Sequence, residues 1–483
     1  VRIGAWLIAA LVAGCQVGPD YRGPPEVGKT AIASPQFLRT GGEHIVPAPP
    51  PARWWDAVRD PLLTQLIEDA LAANPTLKSA QARVRSARAR LQAARAGYLP
   101  SGGATASYLR ARIPTGTVAT AEGGGSLPNP LALDLYSADV DASWELDVFG
   151  GTRRGVESAR ALQESSLAAF HDAQVQLASQ VAQAYVSLRA AQASVFLDES
   201  TIDLESRSMA LTRQRLEAGT TARGDLERQQ TQVQQARAQL PTQQAEVVQL
   251  LDQLAELTGR EPGALDELLR PVHPEAVAVP LPPATIPVGT PADWLRRRPD
   301  IREAERTLAA RTATIGENVA AYFPTVTLLG AFGNNASAPS GLAHGTPLSL
   351  LSPGISWSFL SIPKTRARVR GAEADRDQAL ADYEGKVLAA LRDANGALFR
   401  FGRDVEALKE WQGARDAAAN AARVMRERYA AGTATLIDSL DTERQRVQAE
   451  NQLVQAQSQL MVDYVTLQKS LGLGWGDDGP NPP

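Results

Sequence analysis

A single cysteine, Cys15, stands in the chain of 483 residues, so no disulfide can form within it and no cysteine-based zinc spacing exists. Histidine is almost as scarce: His44, His171, His273 and His344 are scattered and offer no cluster for metal binding or proton transfer. With no constellation of nucleophile, base and metal ligands, an enzyme is the least supported class, and no cofactor, metal or catalytic residue is expected. The formal net charge is −4 and no basic block occurs, so nucleic acid is not an expected partner. Aromatic residues make up only 5% of the chain, against abundant alanine and glutamine, a composition for thin helix–helix seams rather than a thick aromatic core.

Proline is missing from one long stretch. Between Thr152 and Leu216 there is none, and Gly155 is the only glycine. Leu177, Val181, Ala184, Leu188, Ala191 and Val195 recur at alternating spacings of four and three, the seam of a coiled coil. At ~1.5 Å per residue such a helix is roughly 100 Å long, far beyond an ordinary globular helix, and it needs a partner rod.

The chain supplies that partner by repeating itself. A shift of 213 positions lays Trp144 on Trp357, Arg153 on Arg366, Ala218-Gly219-Thr220 on Ala431-Gly432-Thr433, and Gly259 on Gly472. Upstream, a shift of 224 lays Asn74-Pro75 on Arg298-Pro299 and Tyr98-Leu99-Pro100 on Tyr322-Phe323-Pro324. A tandem duplication of about 190 residues follows, too long a period for a solenoid.

The expected division is a lipoprotein signal peptide (1–14), an extended acylated segment (15–60), a first repeat (61–259), a proline-rich equatorial linker (260–291), a second repeat (292–473) and a disordered tail (474–483). Arg2, the short apolar run Ile3–Ala13 and Val12-Ala13-Gly14-Cys15 form a processed export signal. Cysteine directly after Val-Ala-Gly looks like a bacterial lipobox, with Cys15 the acylated residue; several acyl chains make a firm anchor, each buried CH₂ contributing ~0.8 kcal/mol. Gln16, where an aspartate would signal retention, points to the outer membrane by resemblance to other lipoproteins. Valine at position 1 is expected to reflect a non-standard start codon or a shortened front end.

Each repeat opens with helical segments meeting at an X-Pro junction, where Asn74 caps and Pro75 opens the second piece. Strand pairs follow at 102–113 with 138–149, and 325–335 with 351–361. In 138–149 the even positions Val140, Ala142, Trp144, Leu146 and Val148 are apolar, while Asp139, Asp141, Glu145 and Asp147 are acidic. Strict alternation over about ten residues has the length of a transmembrane β-strand, although a soluble hairpin with one solvated face alternates in the same way. The export signal and the tryptophans favour lipid. Four strands cannot close a barrel, and an open edge in lipid leaves backbone groups unsatisfied, so other copies must pair the edges. Three copies supply about twelve strands, within the range of closed barrels.

Long helices are expected at 152–217 and 364–430, each ending at a glycine turn, with return helices at 225–258 and 436–471, the first kinked at Pro241. The fold class is therefore mainly α with membrane β: a trimeric β-barrel, four strands per chain, and a long α-helical coiled-coil barrel.

Signal, duplicated strand pair, long helix, Ala-Gly-Thr turn and return helix together resemble the TolC-like outer-membrane efflux family. The lipobox, Cys15-Gln16-Val17-Gly18-Pro19-Asp20-Tyr21 and Trp54-Trp55 resemble its lipid-anchored OprM/NodT-type branch. The resemblance implies a homotrimeric exit duct of a tripartite efflux system, passing drugs or other small molecules from periplasm to exterior. Its implied partners are a periplasmic adaptor (membrane fusion) protein, an inner-membrane pump of RND type and the lipid bilayer. It also implies a periplasmic gate at Tyr429, Ile437, Asp441 and Arg444, and adaptor-docking tips at Gly219, Thr220, Gly432 and Thr433. The acidic strand residues Asp139, Asp141, Glu145 and Asp147 give a weak cation preference if they face the lumen. Taken alone, Asp441 and Arg444 are an i, i+3 pair on a solvated face contributing ~0.3–0.5 kcal/mol, and the tips are simple glycine turns. Type I secretion, metal efflux and a structural coiled-coil envelope lipoprotein are the other functions compatible with this plan.

Overall fold

The structure is a computed structural model that describes residues 16–29, 33–34, 37–39, 42, 44–113, 131–273 and 277–475. Cys15, the expected signal peptide and positions 476–483 of the expected tail lie outside the described residues. In chain order the elements are β1 (Ile45–Val46), a 3-10 turn (Trp54–Val58), α1 (Pro61–Ala73), α2 (Pro75–Ala96), β2 (Ser101–Ile113), β3 (Leu131–Leu146), α3 (Gly151–Glu217) and α4 (Arg223–Leu257). They continue with α5 (Asp266–Leu269), β4 (Ile286–Pro287), α6 (Pro291–Arg297), α7 (Pro299–Ala320), β5 (Thr325–Ala336), β6 (Thr346–Ser356), α8 (Ile362–Ala430) and α9 (Leu436–Ser470). Among the described residues no helix is long and apolar enough to cross a membrane.

The chain divides into two compact units, one of Val1–Pro24, Ser86–Glu164 and Glu305–Ala381, the other of Pro25–Arg85, Ser165–Ala304 and Asp382–Pro483. The first holds an antiparallel sheet in the order β2-β3-β5-β6, so both repeats contribute two strands and β3 pairs with β5 across the duplication. One face carries Val140, Trp144, Leu328, Phe332 and Ile355; the other carries Asp139, Asp141 and Glu145, because side chains alternate along each strand. The duplication is visible in hydrogen bonds as well: Trp144 Nε1 donates to the Tyr98 carbonyl and Trp357 Nε1 to that of Tyr322, each at 3.0 Å. β2 and β6 are edges without a partner among the described residues.

Two strands, β3 and β6, differ from the sequence expectation by more than one residue at both ends. β3 begins at Leu131 rather than 138, because alternation continues through Leu133 and Leu135 with its phase inverted. There Arg110 and Tyr108 of β2 meet Asp134 (3.3 and 2.8 Å), a polar cross-strand cluster. β3 ends at Leu146, since Asp147 turns away to cap α3, accepting from the backbone N–H of Thr152 (3.1 Å) and Arg153 (2.8 Å). β6 spans Thr346–Ser356 rather than 351–361: Thr325 pairs with Ser356, and Phe359–Ser361 form a 3-10 turn leading into α8.

The second unit holds the main core. Trp54, Trp294, Tyr185, Tyr464 and Phe401 are buried with the aliphatic seam of α3, of which Leu177, Val181, Ala184, Leu188 and Ala191 are all buried. The tryptophan pair of the N-terminal segment packs onto the return helix α9, Trp54 meeting Tyr464 edge-on at 5.7 Å. Asp60 caps α1 by accepting from Leu62 and Leu63 N–H, and Asn74 Oδ1 accepts from Leu77 N–H at the start of α2. α4 runs on through Pro241. Two short features escaped the sequence reading: β1 and β4 pair in parallel, joining the extended segment to the linker, and Trp475 stacks on His171 at 4.4 Å. Trp475 of the expected tail is therefore held in place, its ring having found a partner.

Candidate functional site

Both long helices of the duplication end in the same turn. Gly219 and Gly432 take the left-handed conformation (φ 72° and 70°), and the next residue's N–H reaches back to a carbonyl five positions earlier, Thr220 to Arg215 and Thr433 to Arg428, each at 2.8 Å. The threonine hydroxyls repeat that bond. Thr435 and Asp438 then form a capping box that restarts α9; at α4 the N-cap is Ala222 and only half of the box is made, Asp225 accepting from the Ala222 N–H (3.3 Å) and from the Thr221 hydroxyl (2.8 Å). These hydrogen bonds hold both aspartates below the usual carboxylate range, the threonine hydroxyls contributing most.

The copies diverge one turn later. Where α9 carries Asp441, Glu443 and Arg444, α4 carries Arg228, Gln230 and Thr231. Among the described residues Arg228 pairs only with Asp225 of its own helix. Arg444 instead bridges two helices: Nη1 donates to Glu205 Oε1 of α3 (3.0 Å) and Nη2 to Asp441 Oδ1 (2.5 Å). Glu205 is buried, its side chain 8% exposed, whereas the Asp441 side chain is 48% exposed. A second network lies alongside, in which Glu443 joins Arg426 of α8 to Arg446, and Arg446 also holds Glu450 (2.6 Å). Ile437 is half-buried, and Tyr429 is exposed with no hydrogen bond to Asp441 or Arg444. The structure thus brings together Asp441 and Arg444 of the four expected residues. Glu205, 239 positions from Arg444, carried no signal in the sequence.

On the sheet, Asp139, Asp141 and Glu145 lie on one face of β3. Asp147 does not join them, for the capping reason given above.

At the other end of α9 a carboxylate pair spans two helices. Asp463 accepts from Arg400 Nε (3.1 Å) and Gln459 Nε2 (2.8 Å), and the carboxyl of Asp404 on α8 lies against it. Ionising both carboxylates at that contact is costly, which favours one proton held there. Burial, then the bond and charge of Asp463, push Asp404 up to about 7. Burial opposes ionisation of Asp463 too, but bonds from Asp404, Gln459 and Arg400 hold it below its ordinary value. Since the folded Asp404 keeps a proton that the unfolded one loses near 3.8, its stabilising contribution is complete below that value and is lost as pH rises to about 7. Asp404→Asn, which keeps a donor, is expected to flatten the fall in thermal midpoint between pH 5 and about 8; an unchanged slope excludes the shared proton.

The segment after Cys15 is clamped. Arg154, its side chain 2% exposed, donates to Asp20 (2.6 Å), to the carbonyls of Val17 (3.2 Å) and Gly18 (3.3 Å), and to Glu157 (2.8 Å). Among the described residues no group of three or more His, Cys, Asp or Glu is placed to hold a metal ion directly.

A family model described as outer membrane efflux protein matches residues 66–260 and 290–473. The antibiotic efflux pump outer membrane protein ArpC of Pseudomonas putida is 30% identical over 473 residues, covering 97% of this chain and 94% of that protein. Nodulation protein T of Rhizobium leguminosarum bv. trifolii is 29% identical over 444 residues, 90% of this chain and 89% of that one. Among solved structures, the outer-membrane channel OprN superposes with a TM-score of 0.79 at 34% identity, over 95% of this chain and all of that one (100%).

Proposed function

The chain belongs to the outer membrane efflux protein family, and from that premise we propose that it is the outer-membrane exit duct of a tripartite efflux system, conducting small molecules passively from the periplasm to the exterior. It is a conduit rather than an enzyme. The sheet carries this conclusion: an apolar face, an acidic face and two edge strands that are unpartnered among the described residues are the parts of a barrel that one chain cannot close. Three copies give about twelve strands, with Asp139, Asp141 and Glu145 lining the lumen and favouring cations.

Cys15 carries the acyl anchor, and the Arg154 clamp fixes the strap that follows it. The glycine turns at Gly219-Thr220 and Gly432-Thr433 meet the hairpins of a periplasmic adaptor, which couples the duct to an inner-membrane pump of RND type. Asp441 and Arg444, with Ile437 one turn before and Tyr429 toward a neighbouring copy, form the periplasmic gate. The detergent-extracted chain is expected to run as a heat-modifiable trimer and to conduct ions in planar bilayers. A monomer without conductance would return it to a structural lipoprotein.

A further inference from the structure

The helix that leads into edge strand β2 and the helix that leaves edge strand β6 are both strongly basic. α2 carries six cations and no acid, ending in Arg90 and Arg95. α8 opens with Lys364, Arg366, Arg368 and Arg370, all before its first acid, Glu373. These six residues are exposed, and none is in an ion pair among the described residues. Lys364 with Arg368, and Arg366 with Arg370, are like charges at i, i+4, which destabilise a helix. They also sit at the positive end of the α8 dipole, where anions belong. The matching junction inside the chain is balanced. β3 pairs with β5, Leu146 opposite Val326, so the start of α3 and the end of α7 leave the sheet on the same side. There Asp147 holds Arg153, Glu157 holds Arg154 and Glu164 holds Arg306. The shift of 213 puts Leu360 on Asp147 and Arg370 on Glu157, so the second copy has neither acid.

We propose that the end of α2 and the start of α8 form, at each seam between copies, a site for the phosphate headgroup of an anionic phospholipid. The inference rests on the duct reading, because the seam exists only where β6 of one chain pairs with β2 of the next. Lys364 lies eight residues after β6 and Arg95 six before β2. Antiparallel pairing of the two edges therefore gathers the six cations of two chains just beyond one end of the barrel, as β3 and β5 gather the ends of α3 and α7. Without an anion between them they repel. The order of residues along the chain identifies the occupant. Ile355, Trp357, Phe359 and Leu360 are exposed, Leu360 at 84%, and the four cations of α8 follow within roughly 10 Å of helix. Apolar, then aromatic, then cationic is the succession met on leaving the acyl chains for the phosphates. Long basic side chains lie along apolar surface while their charged ends reach that plane. An acidic protein surface would account for the cations but not for the bare apolar residues beside them.

The test is native mass spectrometry of the full-length, detergent-solubilised protein titrated with phosphatidylglycerol and, separately, with phosphatidylcholine of the same acyl chains. Phosphatidylglycerol is expected to bind the more tightly, one per seam before any further uptake, and to weaken as ionic strength rises. Arg368→Gln combined with Arg370→Gln, one from each like-charge pair, should weaken it more than tenfold, at roughly fivefold per cation. Arg223→Gln, which removes an exposed cation of α4 paired with Glu227 at 3.6 Å, should leave it unchanged. Phosphatidylcholine binding should be the same in the parent and both variants, which separates loss of charge from loss of structure. A trimer that binds the two lipids alike overturns the inference while the duct stands, and leaves the cluster to an acidic protein. A chain found only as a monomer overturns both.

Discussion

Arg444→Ala is expected to make cells more permeable to a large antibiotic such as vancomycin than Asp441→Asn does. Arg444 serves two carboxylates of unequal burial. Losing the bond to Asp441, half exposed, costs ~0.3–1 kcal/mol, the range of surface pairs. Removing the guanidinium leaves Glu205 charged, buried and without a cation, which costs ~3–5 kcal/mol in a closed site and about 2 kcal/mol or more with Arg444 itself partly exposed. Every 1.4 kcal/mol shifts an open–closed balance about tenfold, so the two substitutions should separate clearly. Glu205→Ala combined with Arg444→Ala should be less leaky than Arg444→Ala alone, because the stranded charge is gone. Equal permeability of Arg444→Ala and the parent would remove the bridge from any gate.

The parts of the fold that were legible in the sequence are those written in local periodicity. The seam Leu177–Ala191 announced a long helix, and the alignment of Trp144 with Trp357 announced a second copy whose indoles make the same bond. Local signals failed where one phase gives way to another, as at Tyr136 in β3, and where a residue's role depends on its end of an element, as with Asp147. Distance defeated the rest. The Arg444–Glu205 and Asp404–Asp463 contacts join different helices, and each carboxylate looked in sequence like one more residue on a charged helix face. Asp441 and Arg444 were singled out by the family resemblance, and their spacing of three residues says nothing of the buried acid that makes the arginine costly to remove. The β1–β4 pair, two residues on each side, is too short for any alternation to register.

Gly259→Ala is expected to destabilise the protein far more than Gly432→Ala, although both glycines end a helix with nearly the same backbone, φ 69° and 70°. The left-handed conformation costs an L-residue roughly 1–2 kcal/mol, and that part is common to both. The surroundings differ. A Cβ on Gly432 meets nothing within 4 Å, whereas one on Gly259 would lie 2.8 Å from the carbonyl oxygen of Ala73. That oxygen belongs to backbone at the α1–α2 junction, which Asn74 ties to α4 through its bond to the Leu257 carbonyl (2.9 Å), so it cannot retreat freely. Forcing atoms into a packed site adds ~1–3 kcal/mol, for a total of about 2–5 kcal/mol at Gly259 against about 1–2 kcal/mol at Gly432. Gly472 offers an internal replicate at φ 70°, its Cβ falling 3.0 Å from the Cα of Arg298, the equivalent junction in the second repeat. Thermal midpoints of the three variants should therefore rank Gly432→Ala highest, with the other two well below. If all three coincide, backbone conformation alone sets the cost and the close contacts at Gly259 and Gly472 contribute nothing.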